Sequence, residues 1–572
     1  MMPNDRLVWV FGCERDDVRG SHLVRFWEYC VSVSRIKSYL VIKATQGNFQ
    51  FISAVKEKMR EYVLFYGTRK HKSVLLHANL LFAESRGIEI VPSKVQRPLI
   101  TPPLVLFPSR DADPAREMEG AYAENSVFRY VVSDSSIYWY LILAKGFKPY
   151  QLVFEAGLYS AAESEWTSAA KKFLDELCFA QENGVVFLGF ALTHVGGTPM
   201  ATHALAEGLL ERGFQVSYIT LRKSALVSTP PGIPITSLEA EVECAYAKSR
   251  LLRIVYWLIP RKRKLLALCH DPGSFKPECG RMLRIVLKRI RCKTIVSTRD
   301  SLHEFLAESS AIDDRDKVYF FHCPSKVWRR LFGGAIERIK KLKIEKAVFV
   351  TESNRISLMR DFDFRNYAHY LVLGNGVSSS RMIAREQVCS PKNAGRICAC
   401  WLVRLEPERR QEFESLFHFA ETLKSNGVSD IQIDVYGNGS CALDFQNEIT
   451  KRDLQKFISY CGVSNDVRCQ YAEHDAVVDF TRIQSFGMVY IEAVLNGRMV
   501  FCYRNEGSSE VLRDIPESYF ESDQELLEKL HDVRNVSVEH LKHNYDLIAK
   551  RFSRQAVARR FVEFLEDGSK CK

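Results

Sequence analysis

Short apolar runs rich in β-branched and aromatic residues recur along the chain, and most are followed by apolar residues at helical spacing. Residues 476–480, Ala-Val-Val-Asp-Phe, form one such run; polar residues bound it, so it reads as a buried strand. After it the Phe486-Gly487 step permits a tight turn, Met488 to Asn496 carries apolar residues at helical spacing, and Gly497 supplies a left-handed stop. Strands are predicted in the same way at 397–402, 431–435 and 498–503, and earlier at 185–190, 215–221, 294–298, 317–321 and 346–351. Between the strands at 185–190 and 215–221, Thr198 is placed as N-cap and Pro199 as first helical residue, Leu205 and Leu209 share a face, and Gly213 closes the helix. Toward the start, 7–11, 39–43, 62–66, 88–91 and 103–107 read as strands, 48–60 as a helix, and 163–181 as a linking helix. This alternation is the signature of an α/β protein.

Length and composition bound the picture. At 572 residues the chain suits three to four domains, and a hydrophobic fraction of 46% is that of a soluble globular protein. No positive-apolar-small leader opens it, and no apolar stretch approaches the ~20 residues of a membrane span; residues 138–144 are apolar but too few. Sixteen cysteines lie without metal-ligand spacing, so reduced thiols and a cytoplasmic location are expected. The net charge is +11, and basic residues concentrate between Lys248 and Lys293, interleaved with apolar ones. Within that stretch 251–259 is apolar and aromatic and is followed by Arg261, Lys262, Arg263 and Lys264. It fits either a segment lying on an anionic membrane surface, which would make the protein peripheral on the inner face of the membrane, or a half-buried helix with a solvated basic face. Nucleic acid fits less well, because no recognised binding fold or zinc motif accompanies the charge.

Chemistry-bearing motifs follow the strands in order. Gln484 to Gly497 resembles the donor-sugar motif of retaining GT-B glycosyltransferases of the group-1 (family 4) type, in which two glutamates flank seven residues. Gln484 stands where that family has its first glutamate, which lies against the donor sugar; an amide there hydrogen-bonds but carries no charge. Ser485, Phe486, Gly487 and Met488 fill the loop, and Glu492 matches the second glutamate, which accepts from ribose hydroxyls in the family. Val403-Arg404-Leu405-Glu406-Pro407-Glu408-Arg409 is similar to the family's Gly-Arg-Leu…Lys signature, so Arg404 and Arg409 inherit the diphosphate clamp, with Arg410 beside them and Val403 in place of the glycine. Asn375-Gly376-Val377, Gly437-Asn438-Gly439, and Glu506 to Glu510 resemble further family turns. Gly196-Gly197 resembles the pair lining the interdomain cleft, and His322 falls where the family has a histidine contacting the donor sugar.

The resemblance covers roughly residues 183–566 and implies a GT-B fold of two facing Rossmann-like domains, preceded by an accessory α/β domain. The boundaries are 1–181 for the accessory domain, 182–377 for the acceptor-side domain, 378–395 for the hinge, 396–548 for the nucleotide-sugar domain, and 549–572 for a helix crossing back. It further implies transfer of a sugar from a nucleotide diphosphate donor, a UDP-sugar favoured over a GDP-sugar, to a glycan or lipid-linked acceptor hydroxyl with retention, in cell-surface glycan or glycolipid synthesis. No metal and no cofactor are implied, since two arginines supply the charge a divalent ion supplies elsewhere. Asp111-Ala112-Asp113 has the spacing of the metal-binding pair of the other glycosyltransferase fold, but such triplets are frequent by chance. Two alternatives stay open: a non-catalytic GT-B subunit partnering another glycosyltransferase, suggested by Gln484 and Val403, and a transferase acting on a soluble metabolite.

Overall fold

The structure is a computed structural model. It describes residues 7–83 and 152–221 with gaps, the short strands at 104–106 and 128–133, residues 233–238, residues 283–350 with gaps, and residues 351–570 apart from 366, 391–394 and 465. The strand predicted at 88–91, Asp111 to Asp113, the run at 138–144 and the basic stretch Arg250 to Arg291, with Leu283, Val286 and Leu287 excepted, lie outside the described residues.

Among the described residues, three parallel sheets organise the chain. The first holds β1 (Leu7–Cys13), β2 (Ile36–Ile42), β3 (Val63–Phe65), β4 (Leu80–Ala83), β5 (Leu104–Leu106), β6 (Phe128–Ser133) and β7 (Leu152–Phe154) in the order β3-β2-β1-β4-β5-β6-β7. Its core is aromatic: Trp9, Phe11, Phe26, Trp27 and Phe82 are fully buried, Phe11 stacks on Phe82 at 4.2 Å, and helix α1 (His22–Ser32) carries Phe26 and Trp27 against them. Helix α2 (Glu163–Glu182) packs on α1 through Phe26 and Phe173 and through Arg25, which lies 4.2 Å over the Trp166 ring and pairs with Glu163 at 2.6 Å. The helix predicted over 48–60 is two pieces, Gln46–Ala54 and Glu57–Arg60, because Val55 and Lys56 between them take extended backbone angles.

The second sheet repeats the first one's strand order. It comprises β8 (Val185–Gly189), β9 (Val216–Thr220), β10 (Ile235–Ser237), β11 (Thr294–Ser297), β12 (Asp316–Phe321), β13 (Ile344–Phe349) and β14 (Tyr367–Val372), ordered β10-β9-β8-β11-β12-β13-β14. Helix α3 (Gly197–Glu211) follows β8. Its first turn starts earlier than predicted: the Met200 N–H donates to the Gly196 carbonyl at 3.0 Å, so Gly196 caps the helix and Thr198 lies inside it. Glycine is an accepted N-cap, and with the Gly196 carbonyl taking the first intrahelical bond, Thr198 and Pro199 fall in the first turn, where proline's missing N–H costs nothing. Helix α4 (Glu352–Phe362), which follows β13, is capped by the Thr351 hydroxyl, which accepts from Asn354 N–H.

The third sheet is β17-β16-β15-β18-β19, made of β15 (Ile397–Leu402), β16 (Ile431–Tyr436), β17 (Ile458–Gly462), β18 (Ala476–Asp479) and β19 (Met499–Cys502), every pair parallel. Because β16 and β17 lie on one side of β15 while β18 and β19 lie on the other, the strand order reverses between β15 and β18; in open α/β sheets, ligands bind at the carboxyl end of such a switch point. Trp401, Ile433, Val477, Val478 and Val500 fill its centre, and helix α5 (Arg410–Ser425) closes one face with Phe413, Leu416, Phe417 and Phe419.

Two helices close the described residues, α8 (Val538–Phe552) and α9 (Arg554–Lys570), broken at Ser553, where extended backbone interrupts the single helix expected over 549–572. Residues 549–552 therefore finish α8. Helix α9 packs on elements of the second sheet: Lys346 Nζ on β13 donates to the Leu565 carbonyl at 2.9 Å, Arg560 donates to the Val372 and Leu373 carbonyls, and Phe561 meets Phe320 at 5.9 Å. A Cβ at Gly208 would overlap the Arg554 carbonyl, so α3 and α9 touch backbone to backbone there.

Candidate functional site

The switch point of the third sheet gathers most of the predicted residues. Arg404 and Arg409 lie just past β15, in the loop and single helical turn that lead into α5. Arg404 is exposed and has no carboxylate partner among the described residues. Arg409 is held: its Nη1 donates to Thr481 Oγ1 at 3.2 Å and to Glu412 Oε1 at 3.4 Å. Thr481 belongs to the loop after β18, so the two loops flanking the switch point are joined by a hydrogen bond.

Beside them, Gly437 and Gly439 form the turn after β16. Gly437 has φ +152°, and a Cβ there would overlap the Val403 carbonyl, just as one at Gly439 would overlap Leu405. The turn is pinned to the Arg404 loop by Val403 N–H to Tyr436 O at 2.9 Å, Leu405 N–H to Asn438 O at 3.0 Å, and Cys441 N–H to Leu405 O at 2.8 Å. The close approach at Gly437 is to the backbone of Val403, so it is independent of the side chain that Val403 carries.

The loop after β18 carries Gln484, Ser485, Phe486, Gly487 and Met488 into helix α6 (Met488–Val494). Gly487 caps that helix with φ +95°, and a Cβ there would overlap the Tyr490 ring, so only glycine fits. Gln484 and Ser485 are half-buried and their backbones are engaged: the Gln484 carbonyl accepts from Gly507 N–H at 2.9 Å, at the start of helix α7 (Glu506–Val511), and the Ser485 carbonyl accepts from Thr351 Oγ1–H at 3.2 Å. Glu510 extends the same join, accepting from Glu352 N–H at 3.1 Å. Phe486 is buried with its ring edge-on to Phe552 at 5.4 Å, and both rings lie against Gly374, where φ is +74°.

Asn375 and Gly376 are buried, and a Cβ at Gly376 would press on Ala204 of α3 and Val557 of α9. Gly196 and Gly197 sit at the start of α3, and a Cβ at Gly197 would lie 3.9 Å from Met488 Cγ, so this end of α3 meets the start of α6. His322 follows β12, half-buried, its ring stacked on Phe320 at 5.7 Å. It belongs to the second sheet, whereas the two arginines and Glu492 belong to the third.

Glu492 is where structure adds most to the sequence. Its carboxylate is 2% exposed and already has partners: Arg381 Nε donates to Oε1 at 2.6 Å, Arg381 Nη2 to Oε2 at 2.9 Å, and Tyr471 Oη–H to Oε2 at 3.3 Å. Burial pulls the Arg381 guanidinium down, but Glu492 beside it outweighs burial and raises it above its ordinary value; burial pushes the Tyr471 hydroxyl well up, so it stays a donor. The segment carrying Arg381 is also tied to α3, where buried Glu207 accepts from Ser378 Oγ–H at 2.9 Å and Ser379 N–H at 3.1 Å. Neither Arg381 nor Tyr471 was expected at the site, since they stand 111 and 21 residues from Glu492 and no local pattern announces them.

A second buried carboxylate, also unanticipated, lies behind Arg409. Asp479, the last residue of β18, is 4% exposed and accepts from Trp401 Nε1–H at 2.9 Å, Thr481 N–H at 3.1 Å, Thr481 Oγ1–H at 2.7 Å and Tyr490 Oη–H at 2.6 Å.

No family model and no curated protein sequence matches the chain. Solved structures do. Sucrose-phosphate synthase from Thermosynechococcus elongatus is similar at a TM-score of 0.51 with 14% identity, over 68% of this chain and all of that one. A point mutant of S. aureus TarM, solved in complex with fondaparinux, α-GlcNAc-glycerol and UDP, is similar at 0.50 with 10% identity, over 67% of this chain and 99% of that one. With its parallel sheets and the strand-order reversal in the third, the chain has the α/β architecture of the GT-B glycosyltransferase fold.

Proposed function

We propose that the protein is a retaining glycosyltransferase that moves a sugar from a nucleotide diphosphate donor to an acceptor hydroxyl. One observation carries this reading: Arg404 and Arg409 past β15, and the Gln484-to-Glu492 loop and helix past β18, flank the single point where the third sheet reverses its strand order. Two guanidiniums there neutralise the charge that grows on the departing diphosphate, which is the largest electrostatic demand of the reaction. Arg409 has Nη1 engaged by the protein, and no hydrogen bond among the described residues takes its Nε or Nη2, leaving that edge to grip a phosphate bidentately. The Gly437 turn, with Gly439 behind it, packs directly on the backbone of the loop that carries Arg404 and so fixes that loop at the donor site, and Gln484 offers a neutral hydrogen bond to the sugar.

Glu492 is proposed to hold the ribose hydroxyls once Arg381 gives up one of its two bonds. His322, Asn375, Gly376, Gly196, Gly197 and the loop from Ser485 to Met488 complete the donor site, with a UDP-sugar favoured on the likeness to a protein whose structure contains UDP. A glycan or lipid-linked acceptor in cell-surface synthesis, and a peripheral place on an anionic membrane through 248–293, complete the proposal. No helix among the described residues is long and apolar enough to cross a membrane. The test is a panel of nucleotide sugars screened for thermal stabilisation and for hydrolysis. Stabilisation follows affinity and concentration, so a true donor raises the unfolding midpoint and is slowly hydrolysed.

The occupied Glu492 carboxylate favours a second reading, a GT-B subunit that supports another glycosyltransferase without turning over a donor itself. A protein that binds UDP yet hydrolyses and transfers nothing from the whole panel would select it.

A further inference from the structure

We propose that Asp479 and Thr481 are positioning residues for Arg409, setting the edge of its guanidinium that meets the leaving diphosphate; this rests on the function proposed above. A carboxylate buried to 4% exposure is costly unless its lone pairs are filled, and Asp479 fills them with four donors. Two of those donors come from Thr481. With its hydroxyl proton committed to Asp479 at 2.7 Å, Thr481 Oγ1 turns its lone pairs to Arg409, whose Nη1 donates to it at 3.2 Å. The hydrogen bond therefore has one possible direction. Asp479 fixes the proton, the hydroxyl becomes an acceptor, and the acceptor selects which guanidinium nitrogen faces the protein.

The surroundings keep this arrangement rigid. Asn505 Nδ2 donates to the Thr481 carbonyl at 2.9 Å and to Tyr490 Oη at 3.2 Å, and Asn505 itself is locked by a reciprocal cap with Ser508 at 2.8 and 2.9 Å. Burial pushes the Tyr490 hydroxyl well above its ordinary value, so it remains a donor to Asp479. Trp401, fully buried on β15, ties the strand that precedes the arginine loop to the same carboxylate. On the far side Glu412, buried in the first turn of α5, takes the other contact of Nη1. Arg409 is thus gripped by one nitrogen from two elements, and its Nε and Nη2, which no hydrogen bond among the described residues takes, form the fork that fits two phosphate oxygens.

The experiment compares kcat and KM for donor turnover in wild type, Thr481→Val, Thr481→Ser, Arg409→Ala and the double variant Thr481→Val/Arg409→Ala. Valine keeps the shape of threonine without its hydroxyl, and serine restores the hydroxyl. The expected result is a kcat loss of roughly 10-fold in Thr481→Val with KM changed little, recovery in Thr481→Ser, and no further loss when Thr481→Val is added to Arg409→Ala. Circular dichroism and the unfolding midpoint show whether each variant is folded; if Thr481→Val is not, Asp479→Asn, with the same shape and one acceptor fewer, replaces it in the cycle. Wild-type kcat in Thr481→Val, or a loss that adds in full to that of Arg409→Ala, overturns the inference while leaving the glycosyltransferase reading intact. A wild type with no turnover on any nucleotide sugar removes that reading, and the inference with it.

Discussion

At the residue scale the account turns on three charged side chains. Arg404→Ala and Arg409→Ala are each expected to leave the protein folded and to slow transfer by ~30- to 1000-fold, the loss of about 2 to 4 kcal/mol of transition-state stabilisation from one charge-assisted phosphate contact. Unchanged turnover in both variants would remove the clamp. Glu492 gives a finer test, because its carboxylate is shared between Arg381 and the proposed ribose contact. Arg381→Ala frees Oε1 and leaves Tyr471 as the remaining donor to Oε2, and is expected to tighten UDP binding measured by calorimetry, whereas Glu492→Gln is expected to weaken it. If neither variant changes affinity and both lower the unfolding midpoint, Glu492 serves only to anchor the segment that carries Arg381. The motif resemblance singled out Glu492 and Arg409 as candidates. It was silent on Arg381, Tyr471, Asp479 and Thr481, because those roles arise from contacts between residues up to 111 positions apart rather than from any local period.

At the element scale, what could be read depended on where a strand lies in its sheet. β15, β18 and β19 are central or buried on both faces, and their continuous apolar runs were found to within two residues. β14 and β17 are edge strands with alternating or partial burial, Tyr-Ala-His-Tyr-Leu-Val and Ile-Ser-Tyr-Cys-Gly; they lack a continuous apolar run, and no strand is predicted at either. The turn glycines carried more signal because their backbone leaves no alternative. Gly437→Ala meets both a positive φ and the Val403 carbonyl, so it is expected to lower the unfolding free energy by at least ~1 kcal/mol and to weaken donor binding together with it. An alanine variant with wild-type stability and wild-type affinity would show that the turn relaxes freely. On β16, the strand before that turn, Asp434 is held below its ordinary value: burial raises it, but hydrogen bonds from His474, Gln432 and Ser459 outweigh burial. A carboxyl whose folded value is lowered contributes stability above its unfolded value, and that contribution disappears as pH falls through the folded value. Asp434→Asn is therefore expected to flatten the loss of stability below about pH 4, read as unfolding midpoints across an acid series.

At the scale of the whole molecule, two sheets with the same seven-strand order precede a five-stranded one, so the amino-terminal region that the sequence defined only as α/β carries the strand order of the sheet that follows it. The donor site proposed here draws on the last sheet and on the start of α3, where Gly197 approaches Met488, and α9 binds the carboxyl end of the chain to β13 and β14. Function in such a fold resides in the loops at the switch point, and the measurement that tests it most directly is turnover of nucleotide sugars by the full chain. Purified wild-type protein is incubated with a panel of UDP- and GDP-sugars, and release of the nucleoside diphosphate is followed with Arg404→Ala/Arg409→Ala as the control. The account predicts release from at least one sugar donor, a UDP-sugar first, with the anomeric configuration retained in any product and the double variant silent. Release of equal rate from wild type and double variant, or no binding and no release with any donor, would contradict it.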